Sequence, residues 1–411
     1  MSLNRKRRIL NITYSNCRTA CKGQGIRDLL RSHSNKSYAS VKTINPVYSK
    51  RKTRISDRMY PLLTSENLSE MRDLNERSLN WSKEDTSQGK KDLDNKKCCT
   101  PGDFRKELYR NIFKGRTVVD YPQGPVQMFS LMPFYYRGQR KDYNGICYSS
   151  LFRNINDFNK DEKERKIFLN QLRINELKHL LNNFTQVQEW DSSYVNIPAI
   201  AQHYGFDTDL IDITDDLDVA LFFACCKHNE ENSRKNEYLP LSKQDLEANK
   251  YGLLFRKIAV SNAIDILTCD LNYVVPIGYQ PFNRSNSQRG HYFCTNGEDF
   301  QAKGGFEIFK FEHSIKLSQE LYTKFDGGKK LFKDHALDRL SSLFNDIKYA
   351  VTFSRESFKD TYKQLHGELS EEDWMRILDE KETVEIGKAS YKLCRQMKRT
   401  VNRSWSKEKY N

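Results

Sequence analysis

Polar residues that could do chemistry lie inside one long, mostly apolar run. The run reads PAIAQHYGFDTDLIDITDDLDVALFFACC over residues 198–226, and it contains His203, Asp212 and Thr214. An imidazole or a carboxylate can transfer protons, and a carboxylate can also stabilise positive charge in a transition state. A carboxylate in apolar surroundings is costly unless it is paired or hydrogen-bonded. Asp212 is therefore either a site residue or a cap for backbone amides, and His203 is either a base or a half-buried structural histidine.

Three predicted elements position these residues. The stretch PAIAQHYG predicts a short helix that Gly205 ends. The alternation in TDLIDIT predicts a strand, and Asp215 and Asp216 then open a helix over LDVALFFACCKH. We expect a buried helix, strand and helix, with Asp212 and Thr214 at the strand end beside a helix N-terminus.

Other periodic segments complete the predicted fold, which is α+β: a compact mixed sheet with covering helices. Residues 161–184 have apolar residues at nearly helical spacing and predict a covering helix. The further predicted helices are DFRKELYRNIF and KDHALDRLSSLFNDIKYAVTF. The further predicted strands are VQMFSLMPFYYRG, YGLLFRKIAV, DLNYVVPIGYQ, NSQRGHYFCTNG and GGFEIFKFE, the last as an edge or hairpin strand.

Positive charge is concentrated in the first 54 residues of the chain. The net charge is +14, and residues 1–54 hold fourteen Lys or Arg against one acid, Asp28, so +13 of it lies there. We predict a basic disordered arm over 1–57, which is either a solvating tail, a nucleic-acid contact or a targeting segment. The remaining predicted divisions are a charged helical or flexible connector over 58–102, a folded domain over 103–360 and a charged helical segment over 361–411.

The cysteines and the hydropathy favour an intracellular protein. The ten cysteines include no CxxC pair, which favours free thiols over a disulfide framework, and we predict no metal site. No run approaches the ~18 apolar residues of a membrane span, and the basic N-terminal residues are unlike a secretory signal. We expect a cytoplasmic location, with organelle or nuclear targeting by the basic residues left open.

Six motifs follow one another along the chain: FYYRGQ, YSSLFRN, NELKHLLNNF, AIAQHYGFDTDLIDITDDLDVALFFA, NRSNSQRGHYF and LSSLFNDI. In this order they resemble the FRG domain, a family named for a Phe-Arg-Gly motif that reads Tyr136-Arg137-Gly138 here. The resemblance covers roughly residues 130–350. Two positions depart from the family pattern: Asp209 replaces a basic residue and Ile213 replaces a common Trp, so the family's site is either altered or less well packed here.

The resemblance implies a set of polar signature residues. As catalytic candidates we take Arg137, Asp212, Thr214 and Gln288. The ligand-binding candidates are Arg137, Gln139, Arg153, His203, Tyr204 and Arg284. The other signature positions are Glu176, Gln202, Gly205 and Gly290. Structural alternatives remain open for some of them, because Arg153 and Glu176 are also suited to an ordinary ion pair, and Tyr135, Tyr136 and Tyr204 to core or rim packing.

The order of the polar residues is similar to the layout of mono-ADP-ribosyltransferases, in which an Arg orients the phosphates of NAD, a Ser or Thr corner follows, and a Glu polarises the ribose. The matching residues are Arg137, Thr214 and Gln288. Gln288 cannot act as a base or supply the full negative charge, so Asp212 or Glu307 would have to replace it.

Three hypotheses follow. The first is an NAD-handling enzyme of the ADP-ribosyltransferase type, and the second is a ligand-binding or regulatory module that uses the same cleft for a nucleotide. The third is a nucleic-acid-associated protein that binds through residues 1–57.

Overall fold

The structure is a computed structural model. Apart from Tyr60, the residues it describes belong to one compact unit, Pro61–Asn411. The predicted basic arm and the predicted helix DFRKELYRNIF lie outside the described residues. The described residues are 60–94, 118–121, 124–127, 132–143, 145–188, 196–229, 237–259, 274–277, 284, 287–303, 305–332, 336–365, 368–387, 391 and 393–405.

A seven-stranded mixed sheet forms the centre of this unit, in the order β1-β11-β8-β4-β5-β10-β9. Its neighbouring strands are antiparallel except for the parallel pair β1 and β11. The strands are β1 (Leu62–Leu63), β2 (Val118–Tyr121), β3 (Gly124–Gln127), β4 (Phe134–Gln139), β5 (Leu210–Thr214), β6 (Cys226–His228), β7 (Tyr238–Pro240), β8 (Tyr251–Ile258), β9 (Val274–Pro276), β10 (Gly290–Cys294), β11 (Glu307–Glu312), β12 (Thr352–Phe353) and β13 (Glu385–Ile386).

Helices cover the sheet, so the α+β prediction is confirmed at this level. Short 3₁₀ segments occupy Asp326–Gly328 and Ala336–Leu340. The α-helices are α1 (Ser65–Asp94), α2 (Ser150–Ile155), α3 (Lys160–Leu181), α4 (Thr185–Gln188), α5 (Ile197–His203), α6 (Leu217–Cys225), α7 (Lys243–Ala248), α8 (Phe300–Lys303), α9 (Ile315–Lys324), α10 (Ser341–Lys348), α11 (Arg355–Leu365), α12 (Glu371–Glu382) and α13 (Arg395–Trp405).

The central prediction of helix, strand and helix is confirmed as α5, β5 and α6. Gly205 has a φ of +79°, a left-handed conformation that suits glycine just after a helix. Asp216 caps α6 by accepting hydrogen bonds from the backbone N–H groups of Asp218, at 2.9 Å, and Val219, at 3.4 Å. The predicted helix was too long, because Cys226–His228 leaves it to pair with β7.

The covering helix predicted over 161–184 is confirmed as α3. Its start is a capping box, in which Asn159 and Glu162 bind each other's backbone N–H groups at 3.0 and 3.2 Å. Strand β11 is not an edge strand, because β1 pairs with it on one side and β8 on the other.

Helices from both ends of the described chain pack on the body of the fold. Helix α1 lies against α6, and its Arg72 binds Asp218 through two hydrogen bonds of 2.6 and 3.1 Å. Trp374 of α12 stacks on Phe168 of α3 with 4.1 Å between ring centres. Val401 of α13 is fully buried in the cluster around α3, α5 and α10. The boundaries at 57, 102 and 360 stay predictions.

Gly138 explains why the Arg-Gly motif ends in glycine. A Cβ atom added at this position would lie 1.8 Å from the backbone oxygen of Ala220 in α6. Only glycine allows β4 and α6 to approach this closely. The contact therefore fixes Arg137, the preceding residue, relative to α6.

Candidate functional site

A cleft of about 1460 Å³ opens where β4, β5, α5, α6 and the start of β10 meet. The residues chosen from the sequence, although distant along the chain, share its wall. The catalytic and ligand-binding candidates that line it are Arg137, Gln139, Arg153, His203, Tyr204, Asp212, Thr214, Arg284 and Gln288, together with Gln202, Gly205 and Gly290.

The cleft begins where β4 and β5 separate. Their pairing is described by one residue pair, Tyr136 with Thr214. Beyond it, Nη1 of Arg137 donates a hydrogen bond of 2.8 Å to the backbone oxygen of Asp212, in place of a strand-to-strand bond. This contact fixes the guanidinium at the floor of the cleft, with Nη2 left for other partners.

The Asp212 carboxylate lies beside this guanidinium and is held by Gln202. Nε2 of Gln202 donates to Oδ1 of Asp212 at 2.6 Å, and the Thr208 hydroxyl donates to Oε1 of Gln202, which fixes the orientation of the amide. The surrounding protein raises the pKa of Asp212, while Arg137 and Gln202 oppose this rise. The Asp212 side chain is nevertheless exposed to the cleft, and solvation there reduces the rise of its pKa.

Thr214 and Gln288 form the corner opposite Arg137, and their donors are engaged with the backbone. The Thr214 hydroxyl donates to the backbone oxygen of Gln288 at 2.8 Å and accepts from the backbone N–H of Asp216 at 3.1 Å. Nε2 of Gln288 donates to the backbone oxygen of Leu331 at 3.2 Å. The corner thus joins β5, the turn before β10 and the segment after α9.

The guanidinium of Arg284 lies near two aromatic rings. It lies 5.9 Å from the ring centre of Tyr204 and 5.8 Å from that of Phe332. Nη1 donates to the backbone oxygen of His203 at 3.2 Å, and Nη2 lies 3.6 Å from Asp338. Burial and the positive charge of Arg284 lower the pKa of His203 to about 3. His203 is therefore neutral at physiological pH and is not a ready proton donor.

Gln139 and Arg153 support the loop at the rim. Nε2 of Gln139 donates to the backbone oxygen of Lys141 at 2.8 Å, and Nη2 of Arg153 donates to that of Tyr148 at 3.4 Å. Arg153 is exposed, whereas Gln139 is buried.

Two acids named from the sequence serve the fold outside the cleft. Glu176 accepts hydrogen bonds from the backbone N–H and the hydroxyl of Ser354, at 3.1 and 2.9 Å, before α11 begins. Glu307 pairs with Arg256 across β11 and β8 at 2.7 Å, and it is not among the residues that line the cleft. Of the two suggested substitutes for a catalytic Glu, only Asp212 lies at the site.

The two departures from the family pattern fill structural positions. Asp209 accepts hydrogen bonds from the hydroxyls of Ser149, at 3.1 Å, and Thr295, and so joins the loop before α2 to the end of β10. Burial raises the pKa of Asp209 despite these hydrogen bonds. Ile213 is buried in β5 opposite His291.

Sequence reasoning missed the aromatic residues at the far end of the cleft. Phe223, Tyr238 and Phe332 line it, and only the spacing of Val219 and Phe223 on one face of α6 could have indicated the first. Tyr135 and Tyr136 belong to the core, where each is 2% exposed. Tyr204 is half-buried on the cleft wall.

The cleft wall has an excess of positive charge. Among the described residues that line it, five are Lys or Arg and three are Asp or Glu. The basic ones are Arg137, Arg140, Arg153, Arg284 and Lys329, and the acidic ones are Asp212, Glu237 and Asp338. Such a surface attracts anions.

The described residues also bear on metal binding and membrane insertion. They hold no cluster of His, Cys, Asp and Glu suited to a metal ion. Within the same ranges, helices long and apolar enough for a membrane crossing are absent. The five cysteines that the structure describes are all free.

Comparison with known proteins agrees with the resemblance seen in the motifs. Curated proteins and solved structures gave no match. The sequence model of the FRG domain family matches residues 132–233, which include Arg137, the loop before α2, α5, β5 and α6. Arg284 and Gln288 line the same cleft from beyond the matched segment. The chain therefore contains an FRG domain.

Proposed function

We propose that the cleft binds a phosphate-bearing ligand of the nucleotide class, with Arg137 as its main anchor. The observation that carries this proposal is the position of the Arg137 guanidinium, which the backbone oxygen of Asp212 holds at the floor of a cleft lined by an excess of basic residues. The guanidinium keeps this bond through Nη1 and has Nη2 left as a donor for a phosphate oxygen, and its planar shape fixes the direction of that donor, which a lysine cannot do.

The size of the cleft supports a ligand larger than a phosphate ion. Ligand pockets usually measure about 300–1,000 Å³, and this cleft has about 1460 Å³. NAD is the first candidate, because the order of Arg137, Thr214 and Gln288 along the chain is similar to that in ADP-ribosyltransferases. Arg137 would hold a phosphate of NAD, and the neutral His203 would leave the charge of the cleft unchanged near pH 7.

Calorimetric titration of the full chain with NAD, ADP-ribose and inorganic phosphate tests the proposal. We expect NAD or ADP-ribose to bind, and Arg137→Lys to weaken that binding about tenfold or more, ~1.4 kcal/mol. Arg395→Lys is the matched control, because Arg395 is an exposed arginine of α13 outside the cleft. Absence of binding by the wild-type chain, or equal losses in the two variants, would overturn the proposal.

A specific observation favours a transferase as a second candidate. The Asp212 carboxylate faces the cleft with its position fixed by Gln202, so it can stabilise positive charge on a ribose carbon. In that reaction the bond from C1′ to nicotinamide breaks, nicotinamide leaves with the electron pair, and water or an acceptor group bonds to C1′ and loses a proton to the solvent.

Nicotinamide release separates this enzyme from a binding module. We expect Asp212→Asn to abolish release while NAD binding stays within about threefold, because the amide keeps the shape of the side chain but not its charge. A wild-type chain that binds NAD and releases no nicotinamide would exclude this candidate and leave the binding module.

A further inference from the structure

Three half-buried aromatic side chains form one wall of the cleft. Phe223 comes from α6, Tyr238 from β7 and Phe332 from the segment after Asp326–Gly328. The rings of Tyr238 and Phe332 stack with 5.6 Å between centres and 14° between planes. Phe223 meets Phe332 edge to face at 6.1 Å. We call these three residues the aromatic wall.

The aromatic wall packs against the core cluster that contains Phe222, but its three rings stay half-buried where that cluster meets the cleft. Phe222 is fully buried and contacts the rings of Phe325 and Tyr238, whereas Phe223, the next residue, opens to the cleft. Rings that remain partly open inside a concave surface are suited to contact a ligand. The residues of α6 that line the cleft are Val219, Ala220 and Phe223, and the first and last of them share one helix face.

The aromatic wall lies within reach of the anchor. Gly138, which follows Arg137, packs against the backbone oxygen of Ala220. Phe223 is three residues further along α6, which corresponds to about 4.5 Å along the helix axis. Arg137 and the aromatic wall line the same cleft, so one ligand can contact both.

We propose that the aromatic wall binds the planar base of a nucleoside phosphate whose phosphate is held at Arg137. This inference rests on the proposed function and names the part of the ligand that Arg137 does not recognise. Stacking favours planar rings over sugars, and it tolerates different bases because each has an aromatic face. Arg284 supports the wall, since its guanidinium lies 5.8 Å from the Phe332 ring centre and is tied to the backbone of His203.

The test compares ligands with and without a base on the full chain. The probes are the 5′-monophosphates of adenosine, guanosine, cytidine, uridine and nicotinamide riboside, beside ribose 5-phosphate. We expect at least one base-bearing probe to bind about tenfold tighter than ribose 5-phosphate, in keeping with the usual strength of stacking on aromatic side chains. Phe332→Leu should bring that ratio close to one by weakening the binding of the base-bearing probe.

Matched variants keep the test independent of folding. Phe332→Tyr retains the ring and should preserve the ratio, while Tyr349→Leu removes a 65% exposed aromatic outside the cleft and should change nothing. If Phe332→Leu lowers the melting temperature, Phe223→Leu repeats the test with a residue of the aromatic wall that comes from a different element, α6.

The outcomes distinguish the two proposals. Equal binding of ribose 5-phosphate and every base-bearing probe would leave the phosphate anchor standing and overturn the aromatic wall. A base preference that survives both leucine variants would also overturn it, because the base would be recognised elsewhere. If none of the probes binds, the proposed function fails, and the inference that rests on it fails too.

Discussion

The guanidinium of Arg137 donates to the backbone oxygen of Asp212, with 2.8 Å between Nη1 and O. This bond joins β4 and β5 beyond the pair Tyr136 and Thr214, at the point where the strands separate. Arg137 therefore supports the floor of the cleft as well as facing a ligand. A loss of ligand binding is informative only when the structural contribution of Arg137 has been measured separately.

We expect Arg137→Ala to lower the free energy of unfolding by about 1 kcal/mol, because the carbonyl oxygen of Asp212 loses its donor. Arg137→Lys should lower it by less, since an ammonium group can still reach that oxygen. Urea unfolding of both variants, followed by circular dichroism, gives the two values. Equal stability of wild type and Arg137→Ala would show that the bond adds nothing to the fold.

Gly138→Ala should lower the free energy of unfolding far more than Gly205→Ala, because Gly138 is the more crowded position. Its Cβ would lie 1.8 Å from the Ala220 oxygen, and we expect a loss of about 3 kcal/mol or more. At Gly205 the Cβ would meet only the flexible end of Lys348, at 3.3 Å, so Gly205→Ala should cost about 1 kcal/mol for its left-handed backbone. Thermal unfolding ranks the variants, and the reverse order would contradict the close approach of β4 and α6.

Arg72→Met tests how α1 is held on α6. Burial alone would raise the pKa of Asp218, but hydrogen bonds from Arg72 and Lys324 outweigh it and lower that pKa. We expect the variant to be less stable by about 2 kcal/mol near pH 7, because Asp218 is buried and loses one partner.

The sign of the pH dependence follows from this lowered pKa. The ion pair contributes fully above the unfolded pKa of Asp, about 4, and its contribution disappears as the pH falls through the folded value. The stability difference between wild type and Arg72→Met should therefore shrink below about pH 4. A difference that stays constant from pH 7 to pH 3 would mean that Arg72 acts through packing alone.

Removal of residues 361–411 should destabilise the domain. Trp374 stacks on Phe168, and Val401 is fully buried against α3 and α10, so their loss exposes apolar surface in two clusters. We expect a fragment over 61–360 to melt about 10 °C or more below the full chain, or to aggregate. A fragment over 61–405, which keeps all these contacts, is the control. Equal melting temperatures of the two fragments would favour a domain that ends at 360.

Deletion of residues 1–57 should leave the stability of the folded domain unchanged and should weaken nucleic-acid binding. We expect the melting temperature to stay within about 2 °C, because these residues supply few apolar side chains to a core. Binding to duplex DNA and to RNA should fall, and the dependence of the binding constant on salt should flatten with the loss of +13 charges. Unchanged nucleic-acid binding would show that residues 1–57 do not contribute to it.

Local features of the fold were readable from the sequence. The glycine after α5 and the acidic start of α6 at Asp216 are short-range signals, and each acts within about one helical turn of its own residue. The apolar spacing of α3 and the alternation of β5 likewise report which face of one element is buried. The resemblance to the FRG motifs also indicated which polar residues belong to one site.

Contacts between distant segments were decided only by the tertiary structure. Strands β4 and β5 separate after Tyr136 and Thr214, and no local pattern predicts where a ladder stops, because packing on both strands sets that point. The aromatic wall is likewise assembled from three segments more than a hundred residues apart at their extremes. A single residue's type shows that it can stack, donate or carry charge, but its partners depend on how the whole chain packs.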